Sequence, residues 1–166
     1  MSTLSAPRTR SYWSGTADAA ELAHWRGVAE RVAEQLGADA LERDRRGEDP
    51  TTELDLLREA GLVDLLHPAE FGGGGGHWES ALLVVRILSR TDASIAQVLA
   101  YHYINSANIG FAAAPEAQAE WYRRTVAGSW VWGDSVNPVD PDLLLTPDGE
   151  GWRLNGLKRF STGASA

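Results

Sequence analysis

The 166-residue sequence has no cysteine, one methionine and three phenylalanines. Without cysteine there are no disulfides, no thiol chemistry and no cysteine-ligated zinc, and nothing about the redox compartment can be read. Positive charge is also scarce: 15 Lys and Arg face 23 Asp and Glu, for a formal net charge of −8 and a pI near 4.9. Phosphate recognition needs clustered cations, so nucleic acid and anionic membrane surfaces are not expected partners. Long hydrophobic runs are missing too. The longest aliphatic run, residues 82–85, falls far short of a membrane span. The start, MSTLSAPRTRSYWSG, has arginines but no apolar run behind them, so no secretory signal is expected and a cytoplasmic protein is the default.

What is present suits a globular chain: 43% hydrophobic residues, and a length sufficient for one domain or somewhat more. Apolar residues at three- and four-residue steps (Leu22, Trp25, Val28, Val32, Leu36) predict one long amphipathic helix over 19–46, with Gly47 as its stop. A second helix is expected after Pro50, capped by Thr51 or Thr52 and ending near Gly61. A third carries the stripe Trp78, Leu82, Val85, Leu88. The fourth, over 93–113, is capped by Thr91 or Asp92, and polar groups interrupt its stripe of Ile95, Leu99, His102, Ser106 and Ile109. A fifth starts at Pro115 and runs to Gly128.

From Ser129 the pattern changes. SWVWGDSV, DLLLTP, GWRLNG and LKRFSTG read as four short strands, the middle two joined by the turn PDGEG. Helices followed by strands predict an α+β chain: an all-α domain over 19–128 after a leader over 1–18, then the opening strands of an antiparallel β domain over 129–166. Of the seven tryptophans, Trp121, Trp130, Trp132 and Trp152 fall in the last third, which therefore has aromatic surface to cover.

Local motifs are weak. The five glycines of EFGGGGGHW follow a helix and lack both a preceding strand and a following GK[ST], so a helix-to-helix connector is favoured over a phosphate cradle, with more glycines than a turn needs. His24, His67, His77 and His102 have no pair at metal-binding spacing, so no metal is expected. His24 reads as surface and His67 and His77 as weak candidates. His102 shares a stripe with Ser106 and neighbours Asn105, which leaves two readings: a satisfied core histidine, or a pocket wall. Carboxylate pairs such as Glu42 with Asp44 and Asp140 with Asp142 sit in solvated or turn contexts, and no G-x-S-x-G elbow is present. WVWGDSVNP and NGLKRFSTGA place hydroxyl residues beside glycine at strand ends, which in isolation is ordinary turn chemistry.

In combination, LREAGLVDLLHPAEFGG, DASIAQVLAYHYIN, AGSWVWGDSV and GWRLNGLKRFSTGA resemble the acyl-CoA dehydrogenase superfamily, and within it the flavin-dependent monooxygenase branch. The resemblance runs from about residue 20 onward and implies a helical amino-terminal domain, a middle β domain and a carboxy-terminal four-helix bundle, of which this chain holds the first and the start of the second. It implies that Trp132, Gly133, Asp134 and Ser135 contact flavin or substrate, and that Phe160, Ser161, Thr162 and Gly163 line the isoalloxazine, with Thr162 near the flavin N5 edge. His102 would be the catalytic residue that hydrogen-bonds the oxygenated flavin or the substrate, with Asn105 and Ser106 beside it in the pocket. Asp134 stands where those monooxygenases tend to carry an uncharged amide.

The function so implied is a two-component monooxygenase. Reduced FMN from a separate flavin reductase and oxygen would oxygenate a small sulfur- or nitrogen-containing molecule, in a protein that is a homotetramer at full length. The alternatives are an FAD-dependent acyl-CoA dehydrogenase on the same fold, and a truncated helical module with no catalysis.

Overall fold

The computed structural model describes residues 16–135 and 142–164. Residues 1–15 of the expected leader, and Asp140 with its neighbours 136–141, lie outside the described residues. The order is α1 (Ala19–Gly37), α2 (Ala40–Arg46), α3 (Thr51–Glu59), a short 3₁₀ turn (Ala69–Phe71), α4 (Trp78–Leu88), α5 (Ala93–Ala112), α6 (Pro115–Ala127), then strands β1 (Leu144–Asp148) and β2 (Gly151–Asn155). The chain is therefore α+β, helices first and an antiparallel pair after them.

Helices α1, α4 and α5 pack in series, and α6 lies against α5. Their apolar faces meet in one core: Val28, Ala29, Val32 and Leu36 of α1, Ala81, Val84 and Leu88 of α4, and Ile95, Ala96, Leu99 and Tyr103 of α5. Leu54 and Leu57 of α3 and Leu62, Val63 and Leu65 of the following turn close one side. Asp18 caps α1 by accepting the Glu21 N–H, and Asp92 caps α5 by accepting the Ile95 N–H. The whole expected α5 stripe, His102 and Ser106 included, is buried.

Several expectations need correcting. The single helix over 19–46 is two, so the described residues form six α-helices and not five. After Leu36 the apolar period lapses, α2 buries nothing, and Leu41 is exposed. Arg43 on α2 instead reaches back to donate to the Leu36 carbonyl at 2.9 Å, giving a terminal α1 carbonyl a partner. Pro50, not a threonine, is the N-cap of α3 and makes no side-chain cap bond. In α4, Leu82 is 62% exposed and Ala81, Val84 and Leu88 face the core, because the run ALLVV fits two offset stripes and α1 and α5 select one.

Two of the four expected strands form. Leu144 pairs with Asn155 and Asp148 with Gly151, around a loop in which Gly149 takes φ 62°. One face of this hairpin carries Leu145, Pro147, Trp152 and Leu154; the other carries Thr146 and the Asp148–Arg153 ion pair. Segments 129–135 and 157–163 are not strands, but touch through a single antiparallel bridge between Asp134 and Thr162. The main chain of 129–135 is held in part by side chains of the helical domain, and that of 157–163 by the bridge to Asp134.

Candidate functional site

Of the site residues expected from sequence, Asn105, Gly133, Asp134, Ser135, Ser161 and Thr162 are brought together, whereas His102 and Ser106 lie on the inward face of α5 and Phe160 is exposed. Helix α5 presents two sides. Inward lie His102, Tyr103 and Ser106, each 1% exposed or less, whereas Gln97, Tyr101 and Asn105 follow at helical spacing on the side that carries the 129–135 and 157–163 segments. The Asp134–Thr162 bridge consists of Asp134 N to Thr162 O at 2.9 Å and Thr162 N to Asp134 O at 2.8 Å.

Four side chains pin the first of these segments. Arg58 Nε donates to Ser129 O at 3.0 Å, and the Trp132 indole N–H donates to Thr125 Oγ1 at 3.3 Å. Trp132 N donates to His102 Nδ1 at 3.1 Å. Asn105 Nδ2 donates to Gly133 O at 3.2 Å and to Asp134 Oδ1 at 3.1 Å, while its Oδ1 accepts from Asn108. The second segment joins the first through the Ser135 and Ser161 hydroxyls, which hydrogen-bond each other, and meets α5 where Gln97 Nε2 lies 3.5 Å from Thr162 Oγ1. A Cβ on Gly133 would stand 3.0 Å from Thr162 O, so the two backbones approach closely enough that a larger residue would push them apart by a few tenths of an ångström. Phe160 is 82% exposed with φ 61°, and Gly163 has φ 74°.

His102 faces the interior. Its Nδ1 accepts from Trp132, so the proton resides on Nε2, which donates to Val63 O at 2.7 Å. Both ring nitrogens are thus engaged by main chain in a fully buried ring, the arrangement of a satisfied core histidine. Burial, with His67 5.5 Å away ring to ring, lowers its pKa from 6.5 to about 4, against the opposing effect of the Val63 hydrogen bond. Ser106 is likewise internal, with its hydroxyl 3.5 Å from Tyr103 O.

The sequence reading missed Gln97, Arg58 and Thr125. Gln97 had a signal, since it lies two turns before Asn105 on the same α5 face; Arg58 and Thr125 had none, because their partners are 71 and 7 residues away and depend on the fold.

The glycine loop is a connector. Its five N–H groups donate in order to the carbonyls of Ala69, Pro68, Asp64, His67 and Leu65, at 2.8–3.0 Å, which leaves none for a phosphate. The glycines are not surplus: Gly72 and Gly75 have φ 93° and 63°, and a Cβ on Gly73 would lie 2.3 Å from His67 O. A separate groove of about 610 Å³ runs between α2 and the start of α5, but its Arg43 is engaged by Glu53 at 3.1 Å and Asp92 at 2.8 Å. Among the described residues no cluster of His, Asp and Glu is placed to hold a metal ion, and no helix is long and apolar enough to cross a membrane.

Residues 19–129 match the family model described as acyl-CoA dehydrogenase, N-terminal domain. The chain belongs to this family. Among curated relatives it is 37% identical over 139 residues to the "Probable FMNH2-dependent monooxygenase SfnC" of Pseudomonas putida, covering 83% of this chain and 35% of that protein. It is 35% identical to dibenzothiophene monooxygenase of Rhodococcus erythropolis, covering 82% and 34%. FMN-bound TdsC of a Paenibacillus species superposes with a TM-score of 0.77 at 31% identity, covering 84% of this chain and 36% of that one. The chain thus spans about a third of the length of the relatives it matches. In this acyl-CoA dehydrogenase-type domain, helices α1, α4 and α5 supply the rigid support and the Asp134–Thr162 contact lies at its edge.

Proposed function

We propose that this chain provides the helical domain (19–128) and the opening of the β domain of a two-component flavin-dependent monooxygenase. In this proposal a separate reductase supplies reduced FMN, and a small sulfur- or nitrogen-containing compound receives one oxygen atom. The observation that carries the reading is the meeting of residues 132–135 with 160–163 against α5, in a chain whose relatives are named as FMNH2-dependent and dibenzothiophene monooxygenases. A homotetrameric assembly and a cytoplasmic location belong to the same proposal.

The donor set suits a flavin edge. The hydroxyls of Ser135, Ser161 and Thr162 and the Gln97 amide gather around the bridge, Gly133 and Gly163 carry no side chain to obstruct it, and Phe160 leaves its ring exposed, whereas the Trp132 indole is turned to Thr125 and Trp121. When bound, reduced FMN supplies the electrons that activate oxygen. This chain's residues bind and orient. Thr162 and Ser161 present hydroxyls, Gln97 fixes the Thr162 hydroxyl, and Asn105 sets the Gly133 carbonyl and the Asp134 carboxylate. His102 acts through Trp132 as a positioning residue, since its two nitrogens are already engaged.

The test is to supply the native protein with reduced FMN from a reductase, a thioether or an amine, and ¹⁸O₂. A product two mass units heavier than that made with ordinary oxygen is expected. Reduction of an artificial acceptor by an acyl-CoA, without label in any product, would replace this reading with dehydrogenation.

A further inference from the structure

Asp134 puts a carboxylate at the centre of the candidate site. Its main chain forms the bridge to Thr162, so the residue is fixed, and its side chain is half-buried. One oxygen, Oδ1, accepts from Asn105. Among the described residues no other hydrogen bond and no salt bridge to the carboxylate is seen; of the cations nearest in sequence, Arg124 pairs with Glu120 and Arg153 with Asp148, Arg123 lies over the Phe71 ring, and Lys158 and Arg159 have interactions of their own. Asn105 cannot supply more, since its Nδ2 is shared between Gly133 O and Asp134 Oδ1 and its carbonyl is taken by Asn108. A half-buried carboxylate without a counter-ion attracts cations and repels anions more strongly than it would in water.

We infer that Asp134 sets the charge of the ligand this site accepts: a small organic cation or a neutral molecule with an N–H to donate to Oδ2, and not an anion such as an alkanesulfinate. The inference rests on the placement of the site given above. It narrows the substrate class from sulfur or nitrogen compounds at large to nitrogen-bearing ones, with the nitrogen on Asp134 and the rest of the molecule towards Thr162. A carboxylate held in place by Asn105 imposes this choice before any chemistry, because it acts on binding.

The experiment uses the 166-residue chain, with ¹⁵N-detected shifts of the Gly133, Thr162 and Gly163 amides followed during titration with trimethylammonium or methanesulfinate, two ions of similar size and opposite charge. The cation is expected to perturb these amides with at least tenfold higher affinity, and the preference is expected to shrink as salt is raised. In Asp134→Asn, which keeps the main-chain bridge and an acceptor for Asn105, the preference is expected to fall at least fivefold. Equal affinities in the unmodified chain, a sulfinate preference, an unchanged ratio in the variant, or no perturbation of these amides by either ion would each overturn the inference. It fails independently of the monooxygenase reading: charge selection without label transfer from ¹⁸O₂ would leave Asp134 in this role and remove the proposed reaction, and label transfer without charge selection would do the reverse.

Discussion

Trp132 donates its main-chain N–H to His102 Nδ1 at 3.1 Å, across 30 residues of sequence, while the other nitrogen of the same ring donates to Val63. One buried neutral imidazole therefore ties the turn after α3 to the segment that carries the candidate site. Protonating it would cancel the acceptor on Nδ1 and leave two N–H groups facing each other.

His102 has a folded pKa of about 4 against 6.5 when unfolded, so between those values the unfolded chain binds more protons than the native one. Stability is therefore fully present above about pH 6.5 and declines as pH falls towards 4, by roughly 3 kcal/mol in all. Urea unfolding at half-unit steps of pH measures it. His102→Asn should lower stability at pH 7 and flatten the slope over this window.

Glu21 governs a more acidic range. Burial raises its pKa, but hydrogen bonds from the Ser80 hydroxyl and from His77 outweigh that effect, and the net shift is downward. Its contribution is present above the unfolded value near 4.5 and is lost as pH falls through the lower folded value. Glu21→Gln should cost about 1–2 kcal/mol at pH 7 and reduce the acid slope below pH 4.5. The same urea series, extended downward, checks both.

Arg43 joins α2 to the rest. It donates to Leu36 O and pairs with Asp39, Glu53 and Asp92, the last two largely buried. Arg43→Met leaves those carboxylates without their cation and should destabilise by about 3 kcal/mol. Arg45→Met, whose pair with Glu42 is exposed, should change stability by less than about 0.5 kcal/mol.

Two glycines should respond in opposite directions. Gly73→Ala places a methyl 2.3 Å from a backbone oxygen that cannot move cheaply, so a loss of more than about 2 kcal/mol is expected. Gly27→Ala, in the middle of α1 with Arg31 3.5 Å away, should gain about 0.5–1 kcal/mol. Thermal melts of the two single variants decide it.

How much was legible followed the range of the interactions. The α5 stripe, its Asp92 cap, the Gly47 and Gly61 stops and the hairpin around PDGEG are local signals, and all appear, whereas the strand expected from Ser129 does not form. The break after Gly37 was hidden because Arg43, whose side chain secures it, has partners as far away as Asp92. Periodicity correctly buried His102 but could not tell a core from a pocket, since that depends on the carbonyl of Val63 and the amide of Trp132. Gln97 was passed over for the same reason: its neighbour Thr162 is 65 residues on.

Amide and side-chain shift mapping of the chain with FMN locates the flavin edge. The largest changes are expected at the Gln97 side-chain amide and at Gly133, Asp134, Thr162 and Gly163, with the His102 ring remaining neutral and protonated on Nε2. Largest changes at the glycine loop 72–76, or in the Arg43 groove, would contradict this placement.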